Sequence, residues 1–570
     1  MSVKKIWRVA TPISKTFLKT LSKQITPLQA QLLSNRGLTG KEAINKFLSP
    51  RLDTMADPML LKGMPEAIDI IISHVFNNKK ILVYGDYDAD GLTATALLQI
   101  FFAEIGFPVL AFSPNRFQEG YGLNSEAIKR FAQIGINLII TVDCGVSNYD
   151  EIILAENLGI QVVITDHHQV PDDFGSSYTL INPHQPDCPY PFKNLAGVGV
   201  AFLLAVAIRS VLRQKGWFTG KSEPNLREYL DLVALGTVAD RVPLMGQNRI
   251  FVKNGMKSMA NSRWSGIRAL QQVLGLYGKD VSSDDLGFRM APRVNAPGRM
   301  GDPQIALELL TVTEESSAME LALKVSDLNE QRQKIEKQIL DRIEALIKEE
   351  SRVESKCLFF YGDADWHLGV LGIVASRLVD KYNRPAFIYN IRDDGLAVGS
   401  ARSIDGFHLY QKLSQMGKDV LERFGGHSHA AGFTVKTSNL DILKTMLEES
   451  VVQSIGTKNM PPTLHIDSEI RLNNIGKQML KELSVLEPFG ERNPGPLFLV
   501  RSVEILAARV VGDKHLKLKV RQDGETFEAI GFGLGERYPL IANSINMVFT
   551  PEINYWKGKE QIQLRVVDLN

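Results

Sequence analysis

Three acids stand at alternate positions in the stretch KKILVYGDYDADGLTATALL: Asp86, Asp88 and Asp90. Like charges this close repel one another wherever water is partly excluded. A divalent cation would turn that repulsion into attraction, so the spacing points to metal ligation. Further along, NLIITVDCG delivers Asp143, QVVITDHH delivers Asp166, His167 and His168, and the apolar run LREYLDLVALGTVAD ends on Asp240. Four segments that end in Asp or His can supply a binuclear site. Oxygen and imidazole donors without thiolate suit Mn²⁺ or Mg²⁺ better than structural zinc.

Each of these groups needs an element to aim it. Ile81 to Tyr84 is a short apolar run of strand length, and a helix is expected from Thr93 after a turn at Gly91. Strand-like and helix-like segments then alternate: ILVYG, TATALLQIFFAEIG, VLAFSP, NSEAIKRFAQIG, NLIITVD, NYDEIILAENLG, QVVITD. That alternation implies βαβ units and a parallel sheet, whose strand ends are where such folds bind ligands.

The 570 residues allow three or four domains, with 44% hydrophobic and 23% charged residues, as in ordinary globular chains. A formal net charge of +1 announces no bulk attraction for polyanions, so local patches or bound metal must supply it. Cys144, Cys188 and Cys357 form no CxxC pair, which argues against zinc and a disulfide scaffold. The start MSVKKIWRVATPIS has no apolar leader core, and no run is expected to reach the ~18 residues of a membrane helix. The expected setting is cytoplasmic.

Residues 1–75 read as a helical segment, with a capped helix in LTGKEAINKFLSP. After Pro303, Leu321, Val325, Leu328, Ile335, Ile339, Ile343 and Leu346 recur at helical steps, interrupted by Arg332, and predict a long helix linking two lobes. A second α/β unit follows, over about 355–455. From about 460 the chain reads as strands. In DKHLKLKVRQ, Leu516, Leu518 and Val520 fall on one face and His515, Lys517, Lys519 and Arg521 on the other. A small barrel with a basic face is the shape of an oligonucleotide-binding (OB) fold.

GDYDADG, TVDCG, TDHH and GTVADRVPL, in this order, resemble the four motifs of the DHH phosphoesterase superfamily. APRVNAPGRMGDP, SARS and FGGHSHAAGF carry the resemblance further, to the bacterial RecJ single-stranded-DNA exonucleases, over about residues 50–570. The resemblance implies a DHH parallel-sheet domain (76–312), a connecting helix (313–351), a DHH-associated α/β domain (352–457) and an OB-fold β-barrel (458–570). It implies that Asp88 and Asp143 hold one metal with Asp86 nearby, and that Asp90, Asp143, His167 and Asp240 hold the second. Small DHH phosphatases usually carry a His where Tyr84 stands, and Asp86 is the candidate replacement. Asp166 would orient an imidazole, and His168 would face the substrate phosphate. Arg116, Arg299, Ser400, Arg402 and His427 would contact DNA, with Gly425 and Gly426 letting amides approach an anion.

The activity implied is two-metal 5′→3′ hydrolysis of single-stranded DNA to 5′-mononucleotides, in repair and recombination. The implied partners are single-strand-binding protein and other recombination and repair proteins, for a monomer with no membrane contact. Two rivals are a small-substrate DHH phosphatase or nanoRNase, against which the extra barrel argues, and a non-catalytic replication-associated relative, against which the full set of acids argues.

Overall fold

The chain enters on strand β1 (Ile6–Val9), a strand that the helical reading of residues 1–75 did not foresee. Short helices follow at Lys15–Thr20, Pro27–Asn35 and Lys41–Leu48. The last is preceded by Gly40, which offers no side-chain cap, so the expected capped helix forms without one. This computed structural model describes residues 5–21, 25–171, 178–350, 357–417, 419–456, 461–512, 514–556 and 559–570. The expected domain limits at 351/352 and 457/458 lie outside the described residues.

The first sheet is five parallel strands in the order β3-β2-β4-β5-β6. They are β2 (Ile81–Gly85), β3 (Leu110–Phe112), β4 (Leu138–Val142), β5 (Gln161–Thr165) and β6 (Thr179–Ile181). β2 and β4 are buried along their whole length, as expected for strands covered on both faces by helices. The helix after β2 spans Ala89–Glu104 and starts before the expected Thr93. The reason is local: Asp88 Oδ1 accepts from the amides of Asp90 (2.9 Å) and Gly91 (3.2 Å), so the acid itself caps the helix. Asp90 therefore rides in the first helical turn rather than in a loop.

The helix Gly197–Gln214 corrects the expectation about membrane-length runs. It is long and apolar enough to cross a membrane by length and composition, yet 67% of it is buried within this domain. Helices pack around it, so its apolar faces are core. The long helix is present at Glu315–Glu349. Arg332, which breaks its stripe, is buried and paired with Glu336 at 2.7 Å.

The second sheet has the order β10-β11-β9-β8-β7. Its strands are β7 (Phe359–Asp363), β8 (Ala386–Ile391), β9 (Leu396–Arg402), β10 (Leu421–Gly426) and β11 (Ala430–Lys436). Only β7 and β8 pair in parallel. β12 (Thr463–Ile466) pairs in parallel with β1.

The last strands are β13 (Ser468–Glu469), β14 (Phe498–Val511), β15 (His515–Gln522), β16 (Glu525–Gly531), β17 (Ser544–Trp556) and β18 (Lys559–Leu569). Pairing of β14 with β17 closes β14 to β18 into a barrel, with β13 beside β14 outside the ring. Leu516, Leu518 and Val520 are buried inside it. The opposite face of β15 is less basic than the sequence suggests. Arg521 is held by Glu504 through two hydrogen bonds of 2.8 Å, and Lys517 lies 3.4 Å from Glu528. Antiparallel neighbours β14 and β16 supply those acids, which alternation along one strand cannot reveal.

The chain divides into two compact units, residues 1–9 with 330–466 and residues 10–329 with 467–570. Within the second, the N-terminal helices pack on the barrel: Leu32, Leu33, Ile44 and Phe47 share a core with Leu472, Phe498 and Met547. Arg249, 1% exposed, fastens this arrangement. Its guanidinium lies 3.6 Å from the centre of the Phe47 ring and donates to the carbonyls of Phe47 (2.7 Å) and Glu487 (2.9 Å). Burial pulls its pKa down to about 9, so it remains a cation at neutral pH.

Candidate metal centre

Four segments bring their acids and histidines to the carboxyl ends of β2, β4 and β5 and to the end of the helix Leu230–Ala239, whose C-cap is Asp240. Three groups of side chains have donor atoms close enough to share an ion: Asp86 with Asp88 and Asp143, Asp90 with His167 and Asp240, and Asp143 with His167 and His168. Asp143 belongs to two of them. Its backbone has φ 61°, a left-handed conformation that Asp adopts more readily than most residues. His167 Nε2 lies 3.0 Å from Asp143 Oδ1, 3.6 Å from Asp240 Oδ2 and 3.8 Å from Asp90 Oδ2.

Burial raises the proton affinity of these carboxyls. Asp86 and Asp143 are held well above the usual carboxylate range by desolvation, reinforced by Asp88 and by Asp90 respectively. Desolvation and then Asp240 push Asp90 up to about 7. Asp240 is also raised, chiefly by burial. Burial works to lower His167, but Asp240 and Asp90 outweigh it and raise the imidazole. Asp86 Oδ1, Asp143 Oδ1, Asp240 Oδ2 and His167 Nε2 are buried and accept or donate no hydrogen bond among the described residues. A cluster with orphaned acceptors, unfavourable in its charged form, fits hard divalent cations.

Tyr84 takes no part: its hydroxyl donates to the Gly122 carbonyl at 2.9 Å. Asp86 stands in one group with Asp88 and Asp143. Asp166 orients an imidazole as expected, but it is that of His168, with Nδ1 2.8 Å from Oδ1. Its oxygens also accept the amides of Val146, His167 and His168. Burial favours its protonation, and the His168 hydrogen bond and charge win, holding it below the usual range. His168 in turn is raised to about 9 by Asp166 against burial.

Several residues escaped the sequence reading. The amides of Gly197 (2.6 Å) and Val198 (2.9 Å), at the start of the apolar helix, donate to the two oxygens of Asp90. A Cβ at Gly197 would meet Asp143 Cβ at 2.6 Å, so only glycine fits. The Gly-Val-Gly-Val opening of that helix was the available signal. Asn295 Oδ1 accepts the Ala89 amide at 2.8 Å and props the acidic turn. Arg116 lies 4.5 Å above the Tyr87 ring, and Tyr87, Tyr121 and His168 follow in edge-to-face contacts.

Arg299 sits in the last turn of the helix Ala291–Met300 rather than in a turn. The same helix brings Gly298 against the Tyr87 carbonyl, where a Cβ would come within 2.6 Å. Ser400 and Arg402 meet in the other unit, with Nη1 3.0 Å from Oγ. His427 closes the β10–β11 hairpin through its amide to the Ala430 carbonyl at 2.7 Å. Gly426, at φ 134°, serves that tight turn.

Residues 80–237 match the DHH family N-terminal domain, 354–453 the DHHA1 domain and 466–568 the RecJ OB domain. The chain is 36% identical to the single-stranded-DNA-specific exonuclease RecJ of Bacillus subtilis, over 99% of this chain and 70% of the relative. It is 35% identical to that of Haemophilus influenzae, over 91% and 93%. Crystal structures of Thermus thermophilus RecJ with Mn²⁺ and with Mg²⁺ superpose with TM-scores of 0.83 and 0.77. These cover 99% of this chain and 79% and 78% of theirs, at 30% and 29% identity.

Proposed function

This chain belongs to the RecJ family, and from that membership we propose that it is a single-stranded-DNA-specific exonuclease using two divalent cations, Mn²⁺ or Mg²⁺. The observation that carries this reading is the overlap of three groups able to hold an ion, two sharing Asp143 and two sharing His167, each with orphaned oxygen or nitrogen atoms. Asp86, Asp88 and Asp143 would hold one cation, and Asp90, His167 and Asp240, with Asp143 Oδ1 3.0 Å from His167 Nε2, would hold the other. When bound, the pair supplies Lewis-acid charge at the scissile phosphate and favours ionisation of the attacking water.

The chain's own residues do the rest. Asp166 fixes the ring of His168, which offers its other nitrogen to a phosphate oxygen. The Gly197 and Val198 amides and Asn295 hold the acidic turn in place before substrate arrives. Tyr87 and Tyr121 stand in edge-to-face sequence with His168 beside the centre, and Arg116, Arg299 and the barrel's Lys519 neutralise phosphates, joined by Lys517 and Arg521 where DNA displaces Glu528 and Glu504. A small-substrate phosphatase would have no use for the barrel.

Polarity is part of the proposal. Ser400, Arg402 and His427 form a pocket for a terminal 5′-phosphate, and Arg402 supplies a fork suited to it. Each cut then leaves a new 5′-phosphate on the strand and releases a 5′-mononucleotide. The protein acts as a cytoplasmic monomer in repair and recombination, alongside single-strand-binding protein and other recombination proteins. The test uses purified protein on 5′-labelled and 3′-labelled strands with Mn²⁺, Mg²⁺ or chelator. Metal-dependent release of label first from the 5′ end supports the reading. Activity in chelator, or release first from the 3′ end, contradicts it.

A further inference from the structure

Phe288 is 79% exposed, the largest value among the exposed apolar side chains of the described residues. It sits in the middle of a π-helical segment, Leu286–Met290, whose two ends are fully buried. The wider turn of a π-helix displaces a side chain outward, and such segments recur at functional sites. An exposed phenyl ring has a cost in water that needs a reason.

Its neighbourhood gives one. Immediately before it, Asp284 reaches the barrel, 3.7 Å from Arg565 of β18. Gly287 packs on Val238, two residues before Asp240, and a Cβ there would lie 3.4 Å from the valine methyl. Immediately after it runs the helix Ala291–Met300, whose Asn295 and Gly298 prop the metal-bearing turn. Phe288 thus stands on one continuous helical stretch between the barrel and the metal centre. Seven residues separate it from Asn295, a rise of about 10 Å.

The barrel surface beyond Arg565 continues in the same character. Arg565 is cross-strand to Ile530, and Ile530 to Lys517. Phe532, 58% exposed, lies beyond Ile530 and makes an edge-to-face contact with His515 at 5.3 Å. Asp285 is matched by Arg289 at 2.7 Å and Glu528 by Lys517 at 3.4 Å, while the single cation Arg565 serves both Asp284 and Glu552. Arg509 and Lys519 are exposed cations on adjoining strands. Aromatic faces spaced along a surface with surplus cations are what a single strand needs, because every base has a stacking face.

We propose that Phe288 is a base-stacking station for the single-stranded DNA that trails from the metal centre toward the barrel, with Phe532 as the next. This rests on the exonuclease reading and extends it with a path and two binding residues.

The test measures KM and kcat on a 20-nucleotide single strand, and on a series in which one abasic residue moves along the strand. Phe288→Ala is expected to raise KM on the intact strand by about 5- to 100-fold, the loss of one base–aromatic stack. Phe288→Trp should keep KM near the parent value. One abasic position should raise the parent enzyme's KM by a similar factor and leave that of Phe288→Ala unchanged. A Phe288→Ala variant within twofold of the parent on every strand overturns the proposal, as do penalties that add at every abasic position. If the parent enzyme fails to degrade single strands at all, it is the exonuclease reading that falls.

Discussion

The acids after β2, joined by Asp143 from the end of β4, and the basic residues of β15 both bring like charges together, and folding treats them in opposite ways. Asp86, Asp90 and Asp143 are at most 4% exposed, and neighbouring acids raise their proton affinity further. On β15, Arg521 and Lys517 keep 48% and 32% of their side chains in water and have recruited Glu504 and Glu528 from the strands alongside. Like charges that stay together under burial, with atoms left unpartnered, need an ion from outside. Like charges on a solvated strand can find partners within the sheet, each worth little.

The largest effect should come from the buried row. Asp143→Ala removes a donor from two groups and should lower the rate on single strands at least ~10³-fold. The fold should hold, since the substitution relieves repulsion, with a melting temperature in chelator no lower than the parent's. Substantial nuclease activity in the folded variant would break the contrast.

A half-buried cation comes next. Arg402→Ala should slow hydrolysis of 5′-phosphorylated strands by a factor on the order of 10–100, the loss of a charged hydrogen bond. Strands with a 5′-hydroxyl should suffer much less. Equal losses on both would remove Arg402 as the end sensor.

The exposed row should give less. Replacing Lys517, Lys519 and Arg521 together with Ala should weaken binding of long strands roughly tenfold and flatten the salt dependence. Because Glu504 and Glu528 already occupy Arg521 and Lys517, Lys519→Ala alone should account for most of that loss. A larger effect from Arg521→Ala, measured by salt titration of binding, would show that DNA displaces Glu504.

Asp231 sharpens the contrast by a change that leaves nuclease activity within a few-fold. It is as buried as Asp143, yet Ser262 Oγ (2.5 Å), the Leu232 amide (2.7 Å) and Trp264 Nε1 (2.9 Å) all donate to it. Burial still pushes its carboxyl up to about 6 from an ordinary 3.8. A raised folded-state pKa gives stability that is fully present below the unfolded value and is lost as pH rises through the folded one. The stability difference between the parent and Asp231→Asn should therefore fall by about 1–3 kcal/mol between pH 4 and pH 7.5 in urea melts. A difference that stays flat with pH would show that the three donors fully offset burial.

The same contrast explains what was legible in the sequence. Strand ends carrying Asp143 and Asp166-His167-His168 could be read because a buried parallel strand is a continuous apolar run and its next residue is at the ligand edge. The start of the helix after β2 was misplaced because Asp88 is both an acid of the motif and a cap, and spacing alone does not separate the two roles. Asn295 and the Gly197 amide reach the site from more than 100 residues away, through packing that no local pattern encodes. The partners of Arg521 and Lys517 depend on strand register, which was equally hidden.

The parallel pairing of β1 with β12 has a consequence for synthesis. Ile6 is translated early, but its partner Thr463 emerges only about 450 residues later. At ~5–20 residues per second, the first strand waits roughly 20–90 s before its ladder can form. Through that interval its edge lacks the β12 partner, and the interval lengthens if synthesis of residues 357–466 slows. Slowing translation over that stretch should lower the yield of folded protein more than the same delay placed after residue 466.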